Sequence, residues 1–373
     1  MEKPLAIPNL TSVFTLLLSR FVLLIIFLYL LKVRNFLPAF LLLIIIIIIE
    51  IASLWSKAGL SKLKVETKFK PLQLFPGEET VFSISMENKK WLPGLYNWSQ
   101  SLTSILQLSP QDPETMGDIQ GQVYLGPNAK TIVSHQFAVH RRGYYKIPAL
   151  RLYSRDVLGL FYRQAYWGGT KSVIVYPRLL ALEEIKTHPS DFSGLERDKR
   201  PFLFDPIMFV GLREYTPDMP ARSIHWKASA KQDRLLARII ESSASLQICI
   251  AIDAEDFIQP EPQENLFEEA LSVAASLAVW ADNSRIPFGL IANMPKKEQP
   301  GAVILPVNRD FDQVRLVLES LARAEFAVLG SLEDILKSEA YHLPWGTTLI
   351  VIGSSPPKHM PSAISQVIFY SIQ

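Results

Sequence analysis

The sequence predicts a membrane-anchored chain of three folded parts: an α-helical hairpin, a β-rich Ig-like sandwich and a doubly wound α/β domain. Three observations carry this. Two apolar runs of about 20 residues stand near the N-terminus, each long enough to cross a hydrocarbon core of roughly 30 Å as a helix. Residues 60–180 then alternate apolar and polar side chains between Gly and Pro turns. From residue 246 onward, wholly apolar short runs alternate with amphipathic ones, the pattern of parallel strands joined by helices.

The first run, 11–31, reads TSVFTLLLSRFVLLIIFLYLL, and the second, 36–55, reads FLPAFLLLIIIIIIEIASLW. Arg20 interrupts the first run, no small-x-small cleavage site follows it, and a second span comes at once. An uncleaved hairpin within residues 1–59 is therefore expected rather than a signal peptide. The turn is only KVRN, which puts both hairpin ends on one side of the membrane. Lys32 and Arg34 lie in the turn, while Lys3, Lys57, Lys62 and Lys64 flank the other ends. Four cations against two favour cytoplasmic soluble domains on a two-helix, multi-pass protein of the cell membrane. Arg20 and Glu50 each break a span at nearly equal depth from the turn. A lone charge at depth is costly and an opposite partner offsets the cost, so an Arg20–Glu50 pair is expected across the hairpin. The alternative is that each snorkels separately to an interface.

Within 60–180, KVETKFKPLQLFPGEETVFSISMENK sets Phe82, Ile84 and Met86 against Val81, Ser83 and Ser85 after a Pro-Gly turn. TIVSHQFAVHRRGYYKIPALRLYSRD alternates likewise, and KSVIVYPRL closes the segment. Short strands with no helical stretch between them suggest an Ig-like sandwich. Residues 181–245 are polar and read as an irregular connector. Within 246–373, LQICIAID predicts a strand buried on both faces. NLFEEALSVAASLAVWADNS predicts a helix whose apolar face is Leu266, Ala270, Val273, Leu277 and Trp280. PFGLIANM, AVILPV, TTLIVIG and QVIFYSI read as further strands, and FDQVRLVLESLARA and SLEDILKSEAY as helices.

Composition narrows the partners. The formal net charge of +2 is too small, and its cations too scattered, for nucleic acid to be the main ligand. The single cysteine, Cys249, rules out an internal disulfide and a Cys-based zinc site, and it fits a reducing compartment. It lies inside the apolar LQICIAID run, where packing is favoured over nucleophilic chemistry.

Ligands of open α/β sheets bind beyond the carboxyl ends of the strands. The first such end here is AIDAEDF, with Asp253, Glu255 and Asp256, and three carboxylates there would suit a hard divalent cation. The von Willebrand A-type domain holds a metal at this place with Asp-x-Ser-x-Ser. Here the Asp is present, but Glu255 and Phe257 occupy the serine positions. A degenerate site with no metal and no cofactor is the preferred expectation. A metal-dependent ligand-binding domain built on Asp253 is the alternative, and a metal-dependent hydrolase helped by His225 is a third. No Gly-rich phosphate loop, His-Glu-x-x-His or Gly-x-Ser-x-Gly motif is present, and a non-enzymatic protein is expected.

The stretch GLREYTPDMPARSIHWKASAKQDRLLAR, from Gly211 to Arg238, mixes charge, aromatics and Pro. Leu212, Tyr215, Ile224 and Trp226 can bury, while Arg213, Glu214, Arg222, Lys227 and Arg234 can pair with one another or with a partner. One reading is a strap packed on the α/β domain. The other is an exposed docking surface, since Trp, Tyr and Arg anchor interfaces.

This stretch resembles the signature of the bacterial and archaeal family called domain of unknown function 58. The resemblance runs through Arg213, Tyr215, Pro217, Arg222, Ile224, Trp226, Lys227, Ser229, Ala230 and Leu235. Upstream, Arg142, Gly143, Tyr145, Asp156, Gly159, Leu160 and Phe161 are similar to two further segments of that family. The chain departs from the pattern at Asp218-Met219-Pro220 and at Asp156-Val157. The resemblance implies a von Willebrand A-like C-terminal domain and a non-enzymatic, membrane-anchored interaction or adaptor role. It also implies a partner: a MoxR-type AAA+ ATPase or a transglutaminase-like membrane protein. Arg213, Tyr215, Arg222, Trp226 and Lys227 are then the expected binding residues of the strap.

Overall fold

The computed structural model describes residues 5–7, 10–102, 118–156, 161–181, 209–216, 224–232, 234–240, 246–259, 261–353 and 359–372. They fall in two compact units, Met1–Tyr176 and Pro177–Gln373.

The first unit opens with strand β1 (Leu5–Ile7) and two helices, α1 (Leu10–Lys32) and α2 (Phe36–Gly59). Their turn is a Schellman motif. Arg34 takes the left-handed position at φ 63°, its N–H bonds to Leu31 O at 3.1 Å, and Asn35 N–H bonds to Leu30 O at 3.1 Å. The last carbonyls of α1 are thereby satisfied without a glycine. By length and composition, α2 is a helix able to cross a membrane.

A β-rich body follows: β2 (Leu63–Lys70), β3 (Gln73–Leu74), β4 (Glu79–Asn88), β5 (Gly94–Ser101), β6 (Asp118–Leu125), β7 (Lys130–Ala138), β8 (Gly143–Ile147), β9 (Leu150–Arg155), β10 (Tyr162–Trp167) and β11 (Lys171–Val175). Three sheets result, ordered β1-β10-β9-β5-β6, β2-β4-β7 and β3-β11-β8. The alternation of β4 is realised as written. Phe82, Ile84 and Met86 are fully buried, and Val81, Ser83 and Ser85 on the other face are partly so. The Phe82 ring stacks on Phe69 at 4.6 Å between centroids and meets Trp98 edge-on at 6.4 Å. Because β1 pairs with β10 and α2 runs directly into β2, the helix pair leaves from and returns to this one body.

The second unit differs from the irregular connector expected over 181–245. Its described part contains β12 (Phe209–Glu214), α3 (Trp226–Gln232) and β13 (Leu236–Ile240). β12 and β13 pair antiparallel, with Leu212 opposite Arg238 and Glu214 opposite Leu236. The density of charge in this stretch hid two short strands.

The rest of the unit is built on a five-stranded sheet, ordered β16-β15-β14-β17-β18. Its strands are β14 (Ile248–Ile252), β15 (Phe288–Lys296), β16 (Gln299–Asn308), β17 (Thr347–Gly353) and β18 (Ile364–Ser371). The four strands from β15 to β18 in that order are parallel, and β16 closes one edge antiparallel. Every residue of β14 and β17 is buried, as central strands covered on both faces require. β16 approaches β15 so closely at Gly289 that a Cβ there would sit 2.7 Å from Leu305 O. The helices are α4 (Glu255–Ile258), α5 (Glu264–Asn283), α6 (Gln313–Arg323) and α7 (Leu332–Ser338). The α5 face is wider than the expected stripe. Phe267, Leu271, Ala274, Ala275, Ala278 and Ala281 are buried as well, while Leu266 and Trp280 are only partly covered. Four alanines among these extend the contact around the helix.

Candidate functional site

The strap is fixed from beneath and open above. Ile224 is buried and bridges to Ala237, and His225 N–H bonds to Leu236 O at 2.8 Å. His225 then caps α3: its Nδ1 accepts from Ala228 N–H at 3.2 Å, and its carbonyl accepts from Ser229 N–H at 2.9 Å. Buried Ser229 closes the lock. Its Oγ accepts from Leu236 N–H at 2.9 Å and donates to His225 O at 3.1 Å. Tyr215 N–H bonds to Leu235 O at 2.9 Å, and its side chain is partly buried.

Of the residues that could bury or face outward, Trp226 faces outward: it is 66% exposed, and Lys227 beside it is exposed too. The reason is the shortness of α3, whose first residue is Trp226 and whose buried contact with β13 is made by Ser229. Leu212 likewise lies at the exposed margin. Arg213 is placed in β12 by its backbone, but its side chain, like Arg222, lies outside the described residues. Among the described residues Lys227 has no acidic side chain within ion-pair distance.

The carboxylates at the end of β14 are arranged differently from the expected trio. Asp253 N–H bonds to Ile352 O at 3.1 Å, which ties the strand end to β17. The Asp253 Oδ1 accepts from Asn293 Nδ2 at 2.8 Å and from Glu255 N–H at 3.1 Å. Asn293 is fully buried. Its Oδ1 accepts from Ala254 N–H at 2.6 Å, and its Nδ2 also donates to Gly330 O at 3.1 Å. Asp256 lies against Gly353, where a Cβ would sit 2.5 Å from its Oδ2 and 3.5 Å from the Asp253 Cβ. Glu255 is exposed on the first turn of α4. Among the described residues, no three His, Cys, Asp or Glu side chains gather as one metal-ligating group. Asp253 and Asp256 thus stand near each other at the strand end, while Glu255 is exposed. Phe257 is buried against Phe267, with ring centroids 6.2 Å apart.

Burial raises the Asp253 carboxyl above the usual range. The Asn293 hydrogen bond opposes this, and the nearby Asp256 charge adds to it. The sign follows from linkage. A carboxyl with a raised folded pKa contributes stability that is complete below its unfolded value and is lost as pH rises through the folded one. Asp253→Asn, which keeps an acceptor oxygen, is therefore expected to raise the melting temperature at neutral pH. The gain should vanish below about pH 4, near the unfolded carboxylate value. Melting curves of both proteins across that range check it. Burial also pushes the Cys249 thiol up to about 12, so its reactive thiolate is suppressed.

In the helix pair, Arg20 Nε lies 3.3 Å from Glu50 Oε1, and the Arg20 guanidinium carbon lies 5.6 Å from the centroid of the Phe161 ring. A cleft of about 310 Å³ beside the two charges is lined by Phe21, Leu23, Leu24, Ile46 and Ile49.

Two residues were missed by sequence reasoning, Asn293 and Lys90. Lys90, almost wholly buried, donates from Nζ to Ala58 O at 2.9 Å, to Ser61 O at 3.1 Å and to Gly59 O. Tyr96 OH adds a bond to Gly59 O at 2.8 Å. The open carbonyls at the end of α2, where the helix dipole is negative, are thus capped by a cation from the β-rich body. Burial depresses the Lys90 ammonium to about 8 and pushes the Tyr96 phenol up to about 12.

No family model matches the chain. It is similar to "Uncharacterized protein YeaD" of Bacillus subtilis (strain 168), with 24% identity over 147 residues. That match covers 39% of this chain and 35% of the relative, so it spans about a third of the relative's length. Among solved structures, the CARDB domain of the PF1109 protein from Pyrococcus furiosus, in complex with di-metal ions, matches 30% of this chain and 86% of its own. Its identity is 13% and its TM-score 0.21. The ASH / PapD-like domain of human CEP192 matches 31% of this chain and 82% of its own, with 15% identity and a TM-score of 0.19.

Proposed function

We propose that the chain is a membrane-anchored, non-enzymatic interaction module. A transmembrane hairpin of α1 and α2 carries an Ig-like spacer, and a von Willebrand A-like head presents the strap to a cytoplasmic protein partner. The single observation behind the docking assignment is the exposure of Trp226 and Lys227 on a short helix locked from below. A strap needed only for packing would turn its largest apolar side chain inward, and a protein interface needs such an aromatic outside.

Several features support the membrane part. α2 is apolar enough to span, and α1, at 23 residues, is roughly 34 Å long at the helical rise. Both ends of the pair join the same body, and the flanking lysines outnumber the turn cations, which favours a cytoplasmic body. Apposition of Arg20 and Glu50 offsets the cost of carrying two charges in an apolar helix pair, at the level where Phe161 of the body meets Arg20. The strap's resemblance to the domain of unknown function 58 signature supports a MoxR-type AAA+ ATPase as the partner. Asp253 and Asn293 act in this reading as the brace that holds the head's strand ends.

The test is co-purification from cross-linked native membranes with wild type and Trp226→Ala. An exposed residue should change the melting temperature little, within about 0.5 kcal/mol of stability. Recovery of an AAA+ ATPase with wild type and its loss with the equally stable variant supports the proposal. Equal recovery with both removes the strap from docking.

A further inference from the structure

The rim of the β-rich body nearest the helix pair carries groups that neither the strap nor the head uses. Two contacts mark that rim. Lys90 and Tyr96 reach the last carbonyls of α2, and Phe161 lies against Arg20 of α1. The strand registers bring to the same end the start of β5, the end of β6, the end of β9 and the start of β10: Gly94 pairs with Leu125, and Arg155 with both Leu95 and Tyr162.

At this end Trp91 is 77% exposed, and Tyr124 and Leu95, directly opposite each other, are 66% and 38% exposed. Lys57 is exposed on the last turn of α2, Lys62 just before β2 and Lys89 just after β4, and the Lys89 N–H bonds to Lys62 O at 3.1 Å, which sets the two loops side by side. Among the described residues, Lys57 and Lys62 have no acidic side chain in ion-pair reach, and Lys89 is 3.9 Å from Glu87. Exposed Trp and Tyr beside long-stemmed cations match the headgroup zone of a bilayer, where an aromatic ring is half solvated and a lysine keeps its charge wet.

We infer that this rim docks on anionic lipid headgroups of the bilayer entered by the helix pair. Trp91 is the interfacial anchor, and Lys57, Lys62 and Lys89 meet the phosphates. Two things name the occupant. The rim is continuous with the end of α2, through the bonds from Lys90, and its charge is complementary to an anionic leaflet. The inference rests on the membrane-spanning reading proposed above.

The experiment uses the full chain carrying Trp91→Cys in lipid nanodiscs. Cys249 is fully buried, so an environment-sensitive fluorophore goes to residue 91. Discs of phosphatidylcholine alone are compared with discs that also contain phosphatidylglycerol, and shielding of the probe from acrylamide is read. Shielding should be several-fold greater in the anionic discs. It should fall in the triple variant Lys57→Gln, Lys62→Gln, Lys89→Gln, each lysine contributing about fivefold in headgroup partition. Equal shielding in both discs, or shielding that survives the triple variant, overturns the inference. Co-elution of chain and disc is scored separately. A chain that co-elutes with residue 91 fully accessible overturns the docking alone. A chain that does not co-elute overturns the spanning reading, and the docking with it.

Discussion

Replacing Lys90 with Met is expected to destabilise the β-rich unit by about 1–3 kcal/mol and to open the chain near Gly59–Ser61 to protease. The ammonium serves three carbonyls at the end of α2, and an apolar side chain would leave buried acceptors without donors. Three charge-assisted bonds would sum to more. Burying the ammonium offsets part of that, as its depression to about 8 records, and Tyr96 still serves Gly59 O. Melting in detergent and limited proteolysis at residues 59–62 check the two parts. An unchanged cleavage pattern would mean that the cap does not join helix to body.

The second large effect lies in the head. Asn293→Leu should cost about 2–4 kcal/mol, because one fully buried amide supplies three bonds: from Ala254 N–H, to Asp253 Oδ1 and to Gly330 O. The leucine fits the volume but strands a buried N–H and leaves a half-buried carboxylate with one donor fewer. Denaturant titration of the full chain, read by a probe in the second unit, measures the loss. Asn293→Asp is expected to be as damaging at neutral pH, since it sets a second negative charge within hydrogen-bond distance of Asp253, and to recover in acid as the pair takes up a proton.

These two residues also show where sequence reading ends. The strands and helices were legible because their signal is local. Phe82, Ile84 and Met86 bury on alternate positions, and the five apolar residues of β14 become a central strand. The Arg20–Glu50 apposition could be reasoned from depth, because a hairpin has a single register. Lys90 could not, since its acceptors lie 29 to 32 residues away, at and just past the end of a helix that looks complete on its own. Asn293 sits 39 and 40 residues from Ala254 and Asp253 and reads as one polar residue in an apolar strand. Three neighbouring acids suggested a ligand group, and the turn into α4 keeps Asp253 and Asp256 near each other beside Gly353 but leaves Glu255 exposed. In the strap, composition named the residues that can bury. Only the geometry of a short helix, held through Ser229, decides that Trp226 stays outside.

Docking through the strap is tested most directly with a photo-cross-linking amino acid at position 226 of the full chain in native membranes, with position 311 as the control. Phe311 is 99% exposed in the same unit, so accessibility alone cannot favour position 226. A docking strap gives a discrete adduct with an AAA+ ATPase from position 226, in the membrane fraction, and none from 311. Adducts that are absent at 226, or the same at both positions, would contradict the strap as a docking face.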